Sequence, residues 1–401
     1  MNIFNALKRK SDAFTLTTRA TPLKRRKIGS EYVSVATSTR DMLSEKPPNF
    51  LQENSPTECT KPDRLYYFAD GNIIIQSGPT LFRVHTDNLI KLGGVFEELL
   101  SLPQPDSDDA GYVDGVPLCP LFGTAPRDVR YLMAYAYGKI TPKITCETQG
   151  YKLHWNSVVA LLHLSHMLDL VAVRREVIDA LKLVFPCGPE FTQLPPGIAG
   201  IKRKDRSLFL RTYPLQAINL FHRYNLHALM PMAYYRAAQL AISDIIDGVV
   251  SSDGNKVKIR ADDVVRVLEG REQLRVSRRK VVYRWLNNFS PESEAQLPSD
   301  ECLGKPSRIS NETCFEYLLR MVLDFNRTGF MDSRHDALDT LPAHSDIIFQ
   351  KHLCGTCYDT VTGELALGLV DNWMKLPTHF RLKEWAEIVE AQGLEDQRYE
   401  D

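Results

Sequence analysis

The sequence predicts an α+β protein in which a small mixed sheet capped by helices is followed by an all-helical C-terminal region. Short β-type runs separated by turn residues occupy positions 65–85, and apolar residues recur at helical spacing through positions 126–184. Helical patterns then resume near residue 214. Because the chain has 401 residues, and one core rarely serves more than about 250–300, two or three folding units are expected.

The predicted sheet has about three strands. Residues 65–68 and 72–76 are rich in aromatic and β-branched side chains, and Asp70-Gly71 between them is a turn signal. Residues 80–85 alternate as a second strand, and residues 116–122 form a plausible third one that its prolines weaken.

Helices are predicted on both sides of this third strand. Two short ones cover residues 87–92 and 95–100, with Gly93-Gly94 between them. A third begins at Pro126, because proline suits the first turn of a helix. Two clearer apolar stripes follow at 158–168 and 173–184, and Pro186 ends the second.

Beyond Pro186 the sequence indicates a loop at 187–210 and helices at about 214–225, 227–246 and 261–287. Asp262 and Asp263 lie in the predicted first turn of the 261–287 helix, where their negative charges interact favourably with the helix dipole. The chain is predicted to begin with a disordered basic arm (1–62), followed by a sheet-and-helix domain (63–186) and a helical extension (187–287). A polar linker (288–300) and a cysteine-containing helical tail (301–401) complete it.

Charge is distributed unevenly along the chain. The formal net charge is −1, but eight of the 49 Lys and Arg residues lie in the first 27 positions, which leaves 41 basic against 49 acidic residues elsewhere. Two basic clusters, thirteen residues apart, match a bipartite nuclear-import signal, and a generic basic tail is the alternative. The clusters are Lys8, Arg9, Lys10, Lys24, Arg25, Arg26 and Lys27.

The compartment is expected to be reducing, and the location nuclear, cytoplasmic or both. Eight cysteines are too few for a disulfide scaffold, no apolar run reaches the length of a membrane span, and the first residues lack the pattern of a secretory signal.

The runs at 67–76 and 80–85, and the Val95-Phe96 motif with the leucines after it, resemble the opening of a BTB/POZ domain. The likeness is greatest to the large group of such proteins in mushroom-forming fungi, and it extends, with further matches, over about residues 63–390. Lys91-Leu-Gly-Gly94 departs from the pattern, which usually has a serine-rich turn at this place.

The resemblance implies a protein-interaction domain that pairs with a second copy of itself through its first strand and first helices. The alternative is that the same apolar residues only fill the core of one chain. The residues expected at the interface are Tyr67, Phe68, Asp70, Ile73, Ile75, Phe82, His85, Leu89, Val95 and Phe96.

A Cys-x-x-Cys pair is the sharpest chemical signal. Cys354 and Cys357 have the spacing of a zinc knuckle, and Cys302 and Cys314 are the candidates for two further ligands. His344 and His352 are substitutes. The competing interpretation is that these are reduced cysteines packed as small apolar side chains. His163 and His166, three positions apart, could share a metal, but they lie within an apolar helix that otherwise has a core pattern, so metal binding is not expected there.

No phosphate loop, dinucleotide fingerprint or nucleophile elbow is present, so a non-enzymatic scaffold is expected. Two alternatives stay open. One is a cullin-type ubiquitin-ligase adaptor; the other is a zinc-containing nuclear regulator that binds nucleic acid through a basic helix. For that helix a solvated charged face is the preferred interpretation. Its basic residues are Arg266, Arg271, Arg275, Arg278, Arg279, Lys280 and Arg284.

Overall fold

The protein is described from a computed structural model. It describes residues 60–101, 111–142, 145–147, 150–152, 155–190, 203–250, 254–287, 302, 311–329, 336–338 and 349–397. The predicted import signal, nearly all of the predicted arm and the 288–300 linker lie outside the described residues. From Thr60 onward the chain forms one compact unit.

A five-stranded mixed sheet organises the first part of this unit, two strands more than expected. Its order is β1-β3-β2-β5-β4, with β1 parallel to β3 and β2 parallel to β5, and with antiparallel pairs β2–β3 and β4–β5. The strands are β1 (Lys61–Tyr67), β2 (Ile73–Ser77), β3 (Thr80–Val84), β4 (Tyr112–Val113) and β5 (Val116–Pro120).

The two faces of the sheet differ because side chains alternate along a strand. Ile73 and Ile75 of β2 point into the main core with Phe82 of β3, which lies opposite Ile75. Ile74 and Leu81 point to the other face, where a smaller apolar cluster forms around Val116. The predicted hairpin is therefore confirmed, with both of its faces largely buried.

Helices cover the core face in the predicted order. They are α1 (Thr86–Ile90), α2 (Val95–Ser101), α3 (Pro126–Ala136), α4 (Trp155–Met167) and α5 (Val171–Val184), with a short hairpin of β6 (Thr145–Glu147) and β7 (Gly150–Lys152) before α4. The sequence pattern did not predict this hairpin.

The Gly93-Gly94 pair has a clear packing reason. Gly94 has φ +55°, and a Cβ there would lie 2.3 Å from the carbonyl oxygen of Asp169. The next residue, Val95, donates its backbone N–H to the carbonyl of Leu168 at 3.1 Å. Only glycine allows the backbone to approach the end of α4 this closely.

The second half is mainly helical. Its elements are α6 (Arg203–Arg223), a 3₁₀ turn (His227–Leu229), α7 (Met230–Ala237), α8 (Ile242–Asp247), α9 (Ala261–Ser277), a π-helical turn (Arg278–Val282), α10 (Arg284–Asn287), α11 (Cys314–Thr328), α12 (Gly355–Met374), α13 (Leu376–His379) and α14 (Trp385–Gln397).

Four expectations for this half are wrong. The helix α6 begins at Arg203, inside the predicted 187–210 loop, and the predicted 261–287 helix is divided into α9, the π-helical turn and α10. This half is not all-helical, because Val249–Val250 (β8) pairs antiparallel with Lys256–Val257 (β9). The single helix predicted at 227–246 is broken into a 3₁₀ turn and the two helices α7 and α8. Pro231 lies in the first turn of α7, where it is compatible with a helix start but not with a helix interior.

One hydrophobic core extends through both halves of the unit and does not stop at the predicted boundary after Pro186. Phe185 packs edge-on against Phe221 of α6 at a centroid distance of 5.1 Å, and Trp373 of α12 donates its Nε1–H to the carbonyl of Gly188. A second core lies among α10, α11 and α12. Among the described helices, none is long and apolar enough to span a membrane.

Candidate metal centre

Four cysteines come together at the amino-terminal ends of two helices. Cys314 is the first residue of α11, and Thr313 before it caps the helix: its hydroxyl accepts the N–H of Glu316, whose carboxylate accepts the N–H of Thr313. Cys354 is the N-cap of α12 and Cys357 lies in its first turn. The capping box of Thr313 and Glu316 thus fixes where α11 begins, and Cys314 follows it directly.

The geometry fits a single metal ion. All four Sγ atoms, those of Cys302, Cys314, Cys354 and Cys357, lie within 4.8 Å of one another. Zinc–sulfur bonds of about 2.3 Å in a tetrahedron place neighbouring sulfurs about 3.8 Å apart. The sulfurs of Cys302 and Cys354 are 3.9 Å apart, close to that edge length.

The same distances argue against a disulfide in this structure. A sulfur–sulfur bond measures about 2.05 Å, far below the 3.9 Å between Cys302 and Cys354, and none of the four cysteines is in a disulfide. A compact group of four thiols without disulfides is the arrangement that a closed structural zinc site requires.

Burial around the centre is uneven. Cys314 and Cys357 are buried members of the second core, next to Tyr317, Leu353 and Val361. Cys302 and Cys354 are partly exposed. The centre therefore has a buried inner half and a solvent-facing outer half, and its inner half joins α11 to α12.

A backbone N–H group faces the sulfurs. The N–H of Cys354 donates to Cys314 Sγ at 3.2 Å. This bond and the positive ends of two helices favour negative charge on sulfur. Burial raises the pKa of Cys314 to about 11, whereas hydrogen bonds to the sulfur of Cys354 lower the pKa of that thiol despite its partial burial.

The predicted substitute histidines take no part in the centre. His352 stacks on the ring of Tyr317 with a centroid distance of 4.7 Å, and it is not among the four clustered ligands. His344 lies outside the described residues. His163 and His166 do not form a metal pair with each other: His163 Nδ1 bonds the Tyr224 hydroxyl, and His166 faces the Arg174 guanidinium.

Half of the predicted interface residues are core residues. Ile73, Ile75, Phe82, Leu89 and Phe96 are each at most 5% exposed, so the expectation that they form an exposed apolar surface is wrong. They pack between the sheet and the helices of the same chain, which is the alternative that the sequence left open.

The other predicted interface residues are at least partly accessible. Asp70 is exposed, whereas Tyr67, Phe68, His85 and Val95 are half-buried. The hydroxyl of Tyr137 accepts the backbone N–H of His85 and is hydrogen-bonded to its Nδ1 at 2.7 Å, and Nε2 of the same ring lies 3.4 Å from the Asp70 carboxylate. This contact joins the end of β3 to the end of α3.

The basic helix is largely occupied by internal contacts. Arg266 donates to the carbonyls of Phe380 and Arg381, and Arg271 donates to those of Ala238 and Leu240. Arg284 pairs with Glu364 and Asp371, Arg275 pairs with Glu272, and Arg278 is buried beside Asp336. Arg279 and Lys280 remain exposed. Most of these side chains therefore form neither the predicted solvated face nor a continuous surface for nucleic acid.

A buried polar network escaped the sequence reasoning. The Asp263 carboxylate accepts the Tyr234 hydroxyl at 2.5 Å and bonds Nε2 of His222 and Nε of Arg260. These bonds lower the pKa of Asp263 although its burial acts in the opposite direction. The sequence predicts only a favourable first-turn charge at Asp263, because its partners come from distant parts of the chain.

No family model, curated protein or solved structure matches the chain.

Proposed function

We propose that the chain is a non-enzymatic protein-interaction scaffold of the BTB/POZ type, in which the sheet and α1–α5 form the interaction module and pair with a second copy. The order of elements supports this: β1 and the β2–β3 hairpin precede α1 and α2, the β4–β5 pair follows, and then come α3, α4 and α5, with the short β6–β7 hairpin before α4. The scaffold works by burying apolar area against a partner.

The observation that carries the proposal is the free edge of β1. Among the described residues, β1 pairs with β3 alone, so its other side is an open sheet edge. Leu65 in this strand is 64% exposed, and Ile90 of α1 and Leu99 of α2 are exposed as well. An open sheet edge offers unpaired backbone groups to another chain, and apolar side chains beside it can be buried by a partner.

Asp63 explains why Leu65 points outward. Its buried carboxylate bonds Arg130 at 2.6 Å and accepts the backbone N–H groups of Leu65 and Tyr66. The pairing register of β1 with β3 shifts in this segment. At this irregularity the N–H groups of Leu65 and Tyr66 bond Asp63 instead of a neighbouring strand. The side chain of Tyr66 stays buried, and that of Leu65 is exposed.

Light scattering on the full chain tests the proposal. We expect twice the chain mass at micromolar concentration, and we expect Leu65→Asp to shift the protein to the monomer mass because the charge would be buried at the interface. Leu183→Asp is the matched control, since Leu183 of α5 is 55% exposed but lies outside the proposed interface. A wild-type monomer, or equal behaviour of the two variants, would contradict the proposal.

Within this scaffold we infer that the four-cysteine centre binds zinc as a structural ion. Four thiolates at a tetrahedral spacing are the donor set that zinc prefers in closed sites. The ion would join α11, α12 and Cys302. These parts of the chain otherwise share only the small second core.

Metal analysis tests this inference. The purified chain is expected to hold one zinc ion, and Cys357→Ser to lose it, because removal of one ligand weakens a closed site. Cys119→Ser is the control, since Cys119 is free and outside the centre. A chain that takes up no zinc after reduction and incubation with the ion would refute the inference.

The rival hypotheses stay predictions with their own tests. Co-purification with cullin proteins tests the adaptor role, and a salt-dependent DNA shift without residues 1–62 tests nucleic-acid binding. The internal contacts of Arg266, Arg271 and Arg284 favour the scaffold over the nucleic-acid binder. Nuclear or cytoplasmic location also stays a prediction.

A further inference from the structure

The two halves of the metal centre differ in their accessibility to small oxidants. Cys314 and Cys357 are 2% and 0% exposed, whereas Cys302 and Cys354 are partly exposed. The accessible pair is also close together, with 3.9 Å between its sulfurs. A peroxide arriving from solvent therefore meets these two sulfurs first.

We propose that Cys302 and Cys354 form a peroxide-sensitive pair whose oxidation to a disulfide releases the metal ion and loosens α11 from α12. This inference rests on the proposed zinc centre. It assigns to that centre a modification site in addition to its structural role, with hydrogen peroxide or an alkyl hydroperoxide as the reacting class.

The chemistry balances in two steps. One exposed thiolate attacks the peroxide, an S–O bond forms, the O–O bond breaks and hydroxide leaves. The other thiolate then attacks this sulfur, an S–S bond forms and a second hydroxide leaves. Two thiolates lose two electrons in total, the peroxide is reduced to two water molecules after taking up two protons, and the zinc ion leaves without a change of oxidation state.

Little movement is needed to form the bond. The sulfurs must approach from 3.9 Å to about 2.05 Å, a change of about 2 Å. Once they are joined, only Cys314 and Cys357 remain as ligands, and two thiolates do not make a closed zinc site. Because Cys314 and Cys357 are core residues, loss of the ion leaves two buried thiols at the junction of α11 and α12.

The experiment uses the full chain loaded with zinc, treated with hydrogen peroxide in the presence of a colorimetric zinc chelator. We expect release of one zinc ion per chain, loss of two thiols, and a peptide crosslink between Cys302 and Cys354 that a reductant reverses. Release should be at least about tenfold faster than in untreated protein. Cys119→Ser should behave as the wild type, because Cys119 is a free cysteine outside the centre.

Failure of the inference and failure of the zinc centre give different results. A chain that binds no zinc refutes both. A chain that binds zinc but keeps it under peroxide, while an unfolded control loses its thiols, refutes only the redox pair. A crosslink that maps to another pair, such as Cys354 with Cys357, also overturns the assignment.

Discussion

Gly270 lies where α9 meets the ring of Phe380. A Cβ at this position would lie 2.1 Å from a ring carbon of Phe380, and that ring is fully buried. We expect Gly270→Ala to lower the free energy of unfolding by about 1–3 kcal/mol, because a packed core resists an added methyl group. Urea denaturation measures the change.

Gly363 provides the matched control for this substitution. It lies inside α12 and its added Cβ would meet nothing within 4 Å. Gly363→Ala should stabilise the protein by up to about 1 kcal/mol, since alanine favours a helix over glycine. Equal effects of the two substitutions would show that the contact with Phe380 is not tight.

His379 makes stability depend on pH. Burial and the nearby Lys375 lower its pKa to about 4 in the folded chain, against about 6.5 when unfolded. The unfolded chain therefore takes up the proton first as pH falls, so this contribution to stability is complete above pH 6.5 and is lost towards pH 4.

The expected slope is at most about 1.4 kcal/mol per pH unit between these values. Denaturation of the wild type and of His379→Gln across this range checks it, because glutamine can still donate to Asn372 Oδ1 but does not titrate. The variant should show the shallower dependence on pH. Parallel curves would mean that His379 is protonated in the folded chain.

At the scale of elements, the cap of α11 connects helix stability to the metal centre. Thr313 and Glu316 satisfy each other's backbone N–H groups immediately beside Cys314. We expect Thr313→Ala to cost about 1 kcal/mol of unfolding free energy and to speed the loss of zinc to a chelator. In Thr360→Ala, where the hydroxyl only bonds the carbonyl of Thr356 within α12, both quantities should stay near the wild-type values.

The local patterns predicted most elements but not how they combine. The β2–β3 hairpin, α3, α4 and α5 follow directly from alternation, first-turn proline and apolar stripes. The parallel pairing of β1 with β3 could not be predicted, because it depends on contacts outside the strand itself. The break within 227–246 could not be predicted because every residue of α7 is buried, so no apolar stripe distinguishes one face of the helix from another.

The sequence predicts which cysteines form the candidate centre but not how they are arranged in space. The spacing of Cys354 and Cys357 pointed to a metal, and the other two ligands were among the named candidates. Their convergence depends on the amino-terminal ends of α11 and α12 meeting, although Cys314 and Cys354 are 40 residues apart in the sequence. The predicted interface residues could not be told from core residues by sequence either. Strand alternation shows which residues share a face of the sheet, but both faces are buried here, so it does not show which residues are exposed.

On the scale of the whole molecule, the sheet module and the helical half depend on one core. Arg236 of α7 donates to the carbonyl of Val184, and Phe185 packs against Phe221. We expect a fragment of residues 60–190 to lose cooperative unfolding and to bind a dye for exposed apolar surface, because it lacks these contacts. Residues 60–397 should unfold cooperatively, and a fragment 60–190 with an equally sharp transition would contradict the shared core.

The four tryptophans offer a way to observe the two cores separately. All are buried: Trp155, Trp373 and Trp385 belong to the main core, the last two stacked 5.0 Å apart, and Trp285 belongs to the second. Their emission should shift to longer wavelength as each environment becomes hydrated. A chain that keeps Trp285 as its single tryptophan would thus give a tryptophan emission signal from the second core, which contains the buried cysteines.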